Sequence, residues 1–142
     1  MKVCIIAPDR IFLTVDATQC ILPTNTGSIG ILPNHTPLMT GLDIGVLLLC
    51  EEGGESQSTL WTAMVILGGF ALIQDESLTI LVNEAEFGTA IDPDEALRAL
   101  QDAQSAADKA DGSSDGIQRR VALQRARARY QGTLREQALV TV

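Results

Sequence analysis

The chain has 142 residues, 46% of them hydrophobic, with a formal charge of −8 at neutral pH and a pI near 4.4. That length suits one compact domain with at most a small appendage, and it is enough to bury a core without covalent staples. The acidic balance excludes a general nucleic-acid binder, which needs surplus Lys and Arg to meet phosphates. Three widely spaced cysteines (Cys4, Cys20, Cys50) with no CxxC argue against a disulfide framework or zinc site, and suit small buried hydrophobes in a reducing compartment.

In chain order, residues 2–7 (KVCIIA) form a β-type run closed by Pro8-Asp9. Residues 11–15 and 18–22 follow, the second ended by Pro23. Residues 27–45 (GSIGILPNHTPLMTGLDIG) interleave glycines and prolines with Ile29, Ile31, Leu32, Leu38, Leu42 and Ile44, the composition of short apolar strands joined by tight turns. Within it, Pro33-Asn34-His35-Thr36-Pro37 reads as a rigid exposed loop, since residues before proline are pushed towards extended geometry. A strand over 46–50, a polar Gly-rich hairpin loop over 51–58, strands over 60–67 and 70–74 around Gly68-Gly69, and a strand over 77–82 complete the series. Short strands with turn signals every eight to twelve residues predict a β-sandwich or barrel, here running to about Glu84.

Ala-rich, charged sequence then replaces the Val/Ile/Gly/Pro pattern, as expected for helix. Asp92-Pro93-Asp94-Glu95 is a helix start: Asp92 can cap, Pro93 suits the first helical position, and Glu95 holds the capping-box position. Ala96, Leu97, Ala99, Leu100, Ala103, Ala106, Ala107 and Ala110 give a narrow apolar stripe, and Gly112 is expected to stop the helix. A second helix is expected from about Asp115, with Ala122, Ala126, Tyr130, Leu134 and Ala138 in one row and Gly132 weakening it. Two helices joined by a short turn pack antiparallel. The fold class is therefore α+β, an N-terminal β-sandwich over 1–86 and a C-terminal antiparallel helical hairpin over 87–142. Alanine stripes bury little area, so the hairpin is expected to be able to undock.

Charge is segregated: residues 1–83 carry −6, residues 84–116 carry −7, and residues 117–142 carry +5. The arginines of the second helix (Arg119, Arg120, Arg125, Arg127, Arg129, Arg135) spread over most of its circumference. An acidic partner surface is one reading, because Arg pairs carboxylates in bidentate fashion. A solvated face neutralised by the acidic first helix is the other.

No catalytic, metal or cofactor site is indicated. His35, the one histidine, lacks triad or zinc partners at a recognisable spacing. Gly27-Ser28-Ile29-Gly30 matches no phosphate-binding pattern. Asp92, Asp94 and Glu95 are explained by capping, and Gly68-Gly69 by a bend in the sheet. No apolar run approaches the ~20 residues that span a bilayer, and the N-terminus begins a strand at once. The chain is expected to lie outside the bilayer, free to sit on a membrane assembly.

Several stretches together resemble the epsilon subunit of F-type ATP synthases: PTNTGSIGILPNHTPLMTGLDIGVL (23–47), LGGFALI (67–73), LTILVNEAE (78–86), IDPDEA (91–96) and RRVALQRARARYQ (119–131). They follow the family's order over nearly the whole chain, and the IDPxEA and ALxRARAR runs are similar to the plastid and cyanobacterial branch. The resemblance implies a non-catalytic rotor subunit that couples proton flow to ATP synthesis and inhibits ATP hydrolysis through its helices. It implies partners in the gamma subunit, the c-ring and the alpha/beta catalytic hexamer, on the stromal or cytoplasmic side of a thylakoid membrane in a plastid or cyanobacterium.

Carried over by motif, Ser28, Pro33, Asn34, His35 and Pro37 would face the c-ring and gamma, while Arg119, Arg120, Arg125, Arg127 and Arg129 would meet an acidic loop of the beta subunit. Two positions depart from the bacterial pattern. Ser28 stands where many bacterial members carry an acid. Some bacterial members bind ATP through I/L-D-x-x-R-A, and here Glu95 replaces the arginine, so no tight ATP binding is expected. The alternative to a rotor subunit is a free-standing β-sandwich module whose basic helix grips acidic protein or nucleic acid.

Overall fold

The structure, a computed structural model, describes residues 1–52, 59–109 and 114–141, with side chains described except at residues 59, 114 and 136–141. Eight strands precede two helices: β1 (Lys2–Ala7), β2 (Arg10–Asp16), β3 (Gln19–Thr24), β4 (Gly27–Ile31), β5 (Leu38–Glu52), β6 (Thr59–Gln74), β7 (Ser77–Val82) and β8 (Ala85–Phe87), then a 3-10 turn (Gly88–Ala90), α1 (Pro93–Asp108) and α2 (Ser114–Thr141). The strands form one hydrogen-bonded sheet in the order β2-β1-β7-β6-β5-β3-β4, with β8 added to β6. All described pairings are antiparallel except β1 with β7.

The sheet becomes a sandwich because its two long strands serve both layers. The 69–74 half of β6 pairs with β7, while its 64–66 segment pairs with β8. Likewise β5 meets β3 only over Leu48–Cys50. One core cluster joins the inner faces: Val3, Ile5, Ala71, Ile73, Leu78 and Ile80 from one layer, Cys20, Leu22, Ile31, Leu47, Leu49, Met64 and Ile66 from the other.

Three expectations for the strands are corrected. The separate strands expected at 60–67 and 70–74 are one strand of 16 residues. Gly68 (φ +73°) and Gly69 (φ +151°) turn the chain without breaking its register with β5, and the ladder skips only Asp43 and Gly68. Inward positions pass from Met64 and Ile66 to Ala71 and Ile73, so the glycines reset the alternation of faces. A Cβ at Gly69 would run into the Leu81 carbonyl.

The strand expected at 46–50 starts at Leu38 and absorbs the end of the Gly-rich stretch. Here Gly45 is needed for closeness, since a Cβ would sit 2.8 Å from Pro23 Cβ. Pro23 itself lies within β3 rather than ending it. Pairing of β3 to β5 stops at Ile21, before the missing N–H could interrupt it. Most of the expected 51–58 loop lies outside the described residues.

In α1, Asp92 is the N-cap, its Oδ1 accepting the Asp94 N–H at 3.0 Å, and Pro93 is the first helical residue. Glu95 is in the first turn and exposed, with no hydrogen bond back to Asp92, so the reciprocal half of the capping box is not formed. The helix ends at Asp108 with Lys109 as C-cap; Ala110 and Gly112 lie outside the described residues.

Candidate interaction surfaces

The Pro33–Pro37 loop connects the layers and is held from below. The Asn34 N–H donates to Glu76 Oε1 at 2.9 Å, and Asn34 adopts φ +66°. His35 Nδ1 lies 2.7 Å from the Thr36 carbonyl, and its N–H reaches the Leu32 carbonyl. Pro33, Asn34 and Pro37 are exposed and His35 is half-buried. Ser28, assigned to the same contact, is not beside them. It lies exposed at the opposite end of β4, bordering a groove with Pro23, Gly45, Val46, Gln131, Leu134 and Arg135.

Next to the loop is an apolar face that sequence reasoning missed. On the outer side of the first layer, the register lines up Ile11, Ile6, Leu81 and Phe70 across four strands, ending over Gly41 of β5. A second row pairs Met39 with Leu72. Met39 is 73% exposed, Phe70 60% and Leu81 50%, although they are side by side. The available signal was apolar residues of both parities in FALIQ and LTILV. A half-buried antiparallel strand alternates apolar with polar, so loss of alternation marks a second face meant to be covered.

The outer face of the other layer is covered by α2. Val65, Ile91, Ala96 and Ala128 form a second small cluster, with Ile44, Leu67 and Tyr130 against it. Gly132 does not weaken the helix without return. A Cβ there would lie 2.5 Å from Val65 Cγ2, so glycine permits the helix to sit close to the sheet. The expected i, i+4 row is thereby corrected: Ala126 is buried and Tyr130 half-buried, but Ala122 and Leu134 are exposed, and burial centres on Ala128, Gly132 and Thr133. The helix must satisfy both α1 and the sheet, and a single stripe cannot face two neighbours. The buried Thr133 hydroxyl donates to the Tyr130 carbonyl at 2.7 Å.

Polar ties frame this contact. Arg129 Nε and Nη2 donate to the two oxygens of Glu86 at 2.9 and 3.4 Å. Arg125 pairs with Glu84 at 3.2 Å. Gln124 Nε2 donates to Asp43 Oδ1 at 3.0 Å, at the point where the β5–β6 ladder skips. The arginines expected to act together are therefore divided. Arg125 and Arg129 face the sandwich, Arg119 donates to the Lys109 carbonyl at 3.3 Å, and Arg120 and Arg127 are exposed with no ion pair among the described residues.

Among the described residues no group of three or more His, Cys, Asp or Glu side chains could hold a metal. No described helix is long and apolar enough to cross a membrane.

A β-sandwich with one bare outer face and a helical hairpin laid on the other defines a class of subunit built for contact with neighbours. The family model described as ATP synthase, Delta/Epsilon chain, beta-sandwich domain matches residues 1–88, and that described as ATP synthase, Delta/Epsilon chain, long alpha-helix domain matches residues 90–132. The chain belongs to the ATP synthase delta/epsilon chain family, as a subunit of the non-catalytic epsilon type. It is 43% identical over 131 residues to the chloroplastic ATP synthase epsilon chain of Oltmannsiellopsis viridis, covering 92% of this chain and 95% of that one. With the chloroplastic epsilon chain of Chlorella vulgaris the identity is 44%, covering 92% and 93%. Among solved structures, a chain of the Euglena gracilis mitochondrial ATP synthase, OSCP/F1/c-ring in rotational state 1, superposes with a TM-score of 0.78 at 26% identity, covering 93% of this chain and 79% of that chain. A chain of the Tetrahymena thermophila mitochondrial ATP synthase shares the fold, with a TM-score of 0.58 at 17% identity, covering 93% and 95%.

Proposed function

We propose that the chain is a rotor subunit in the central stalk of a proton-translocating F-type ATP synthase, with no catalytic residue of its own. Its sandwich (1–86) binds gamma and the c-ring, and its hairpin (87–142) restrains ATP hydrolysis by reaching the alpha/beta hexamer. The observation that carries this reading is the bare apolar face of Met39, Phe70, Leu72 and Leu81. Adjacent exposed side chains of that size on an otherwise well-formed sandwich belong under a partner.

The Pro33–Pro37 loop, tied to Glu76 through the Asn34 N–H, extends the same contact in this reading. Ser28, at the opposite end of β4 in the groove beside Gln131, Leu134 and Arg135, lies apart from that contact. The chloroplastic relatives support a peripheral location on a thylakoid membrane. At the start of α1, Glu95 adds negative charge and Asp92 is occupied in capping, which disfavours a nucleotide phosphate there.

The test is co-purification from solubilised membranes. The wild-type chain should travel with gamma and the catalytic hexamer, and Phe70→Glu/Leu81→Glu should be lost from them while remaining folded. A wild-type chain that never travels with the complex would favour a free-standing module. Undiminished retention of the double variant would remove the apolar face from the account.

A further inference from the structure

The spacing of the two helix–sandwich ion pairs is matched between unlike elements. Arg125 and Arg129 are four residues apart on α2, one helical turn, or about 6 Å along the axis. Glu84 and Glu86 are two residues apart on the extended segment entering β8, so they share a side and stand about 6.6 Å apart. One turn of helix thus fits one strand repeat, and both pairs form together, at 3.2 Å for Arg125 with Glu84 and 2.9 Å for Arg129 with Glu86.

Arg120 and Arg127 lie seven residues apart, two turns of α2, on roughly the opposite side from Arg125 and Arg129 by helical periodicity. They remain exposed. The helix therefore presents two arginine faces with different partners in this structure.

We propose that Glu84 and Glu86 form a carboxylate latch on the hairpin. They occupy Arg125 and Arg129 in the docked state, so that an acidic partner surface must compete with the sandwich for the same two guanidinium groups. This rests on the proposed inhibitory role of the hairpin and adds the element that regulates it. The apolar contact beneath α2 is a small cluster, with only Val65, Ile91, Ala96 and Ala128 buried, so modest charge terms carry weight in the balance.

Glu84 and Arg125 are 60% and 52% exposed, and Glu86 and Arg129 are 41% and 23% exposed. Exposed pairs of this kind shift an equilibrium by about two- to fivefold each. Two in register therefore move docking by about tenfold. The latch also makes the two arginine faces separable. Neutralising Arg127 weakens only the partner contact, neutralising Arg129 weakens both states, and neutralising Glu86 weakens only the docked one.

The experiment uses the full chain, first alone and then assembled. In Glu84→Gln/Glu86→Gln, amide exchange over α2 should quicken by about tenfold, with strands β6 and β7 unchanged as the internal control. Raising salt should quicken the wild type towards the variant. The exchange variant Glu86→Arg/Arg129→Glu should restore slow exchange. Reconstituted into the enzyme, Glu84→Gln/Glu86→Gln should deepen inhibition of hydrolysis, whereas Arg120→Ala/Arg127→Ala should relieve it. If α2 exchange in Glu84→Gln/Glu86→Gln equals that of the wild type, the latch is overturned. If exchange quickens but hydrolysis does not change, the latch stands and the inhibitory role of the hairpin falls.

Discussion

Cys20 is fully enclosed among the aliphatic side chains of the sandwich core, and burial pushes its thiol from 9.0 up to about 12. Desolvation disfavours the thiolate, so the folded chain keeps this proton where the unfolded chain releases it. The sign follows from linkage: the stabilising effect is complete below pH 9 and is lost as pH rises from about 9 to about 12. Thermal unfolding followed between these values should show a fall in stability approaching about 1.4 kcal/mol per pH unit from this group. That component should be absent in Cys20→Ala, and an equal pH slope in the two proteins would refute it. At neutral pH a thiol reagent should leave native Cys20 unmodified. Gly69 makes a comparable point for the backbone, since its left-handed conformation and the nearby Leu81 carbonyl exclude any side chain.

At the scale of elements, α2 shows how a helix with little apolar content is seated. Intrinsic propensity alone favours Gly132→Ala by about 1 kcal/mol. The close approach to Val65 Cγ2 at 2.5 Å works in the other direction, because a β-branched, buried neighbour has little room to yield. Gly132→Ala should therefore loosen docking by about 1–2 kcal/mol. The effect should appear as faster exchange along α2, with the sandwich strands unaffected, and slower exchange would show that propensity outweighs the clash. The same contest between local and tertiary preference explains β5 and β6. Read locally, their glycines break each strand in two, but the neighbouring strands supply hydrogen bonds that carry the backbone through.

For the molecule as a whole, the hydrophobic clusters divide as the chain does. The principal core with its bordering side chains draws only on residues up to Phe87. The second cluster ties Val65 on the sheet to Ile91, Ala96 and Ala128. A chain ending before Asp92 should therefore retain a cooperatively folding sandwich that binds gamma, with Val65, Ile44 and Leu67 newly exposed. An enzyme assembled with it should hydrolyse ATP faster than one carrying the full chain. Loss of cooperative urea unfolding in the shortened chain would show that the hairpin is part of the sandwich's own stability. Both outer faces are built on β5 and β6, on either side of Asp43 and Gly68-Gly69, so the bare apolar face and the hairpin contact share two strands.

Fold class and the junction between strands and helices were legible in the residues themselves. Short apolar runs punctuated by turn residues, the Asp92-Pro93 cap and the switch to alanine are local signals, set by backbone sterics and by the solubility of each side chain. The charge split between the acidic first helix and the arginine-rich second was legible for the same reason. Which arginines are held, and which have no ion pair among the described residues, was decided by the tertiary structure, because it depends on the orientation of α2 over Glu84 and Glu86, residues far from it in sequence. The bare face of Phe70, Leu81 and Met39 was likewise set by strand order, which places β7 beside both β1 and β6. Pairings between distant segments follow from how the sheet closes around its core, and short-range patterns do not record them.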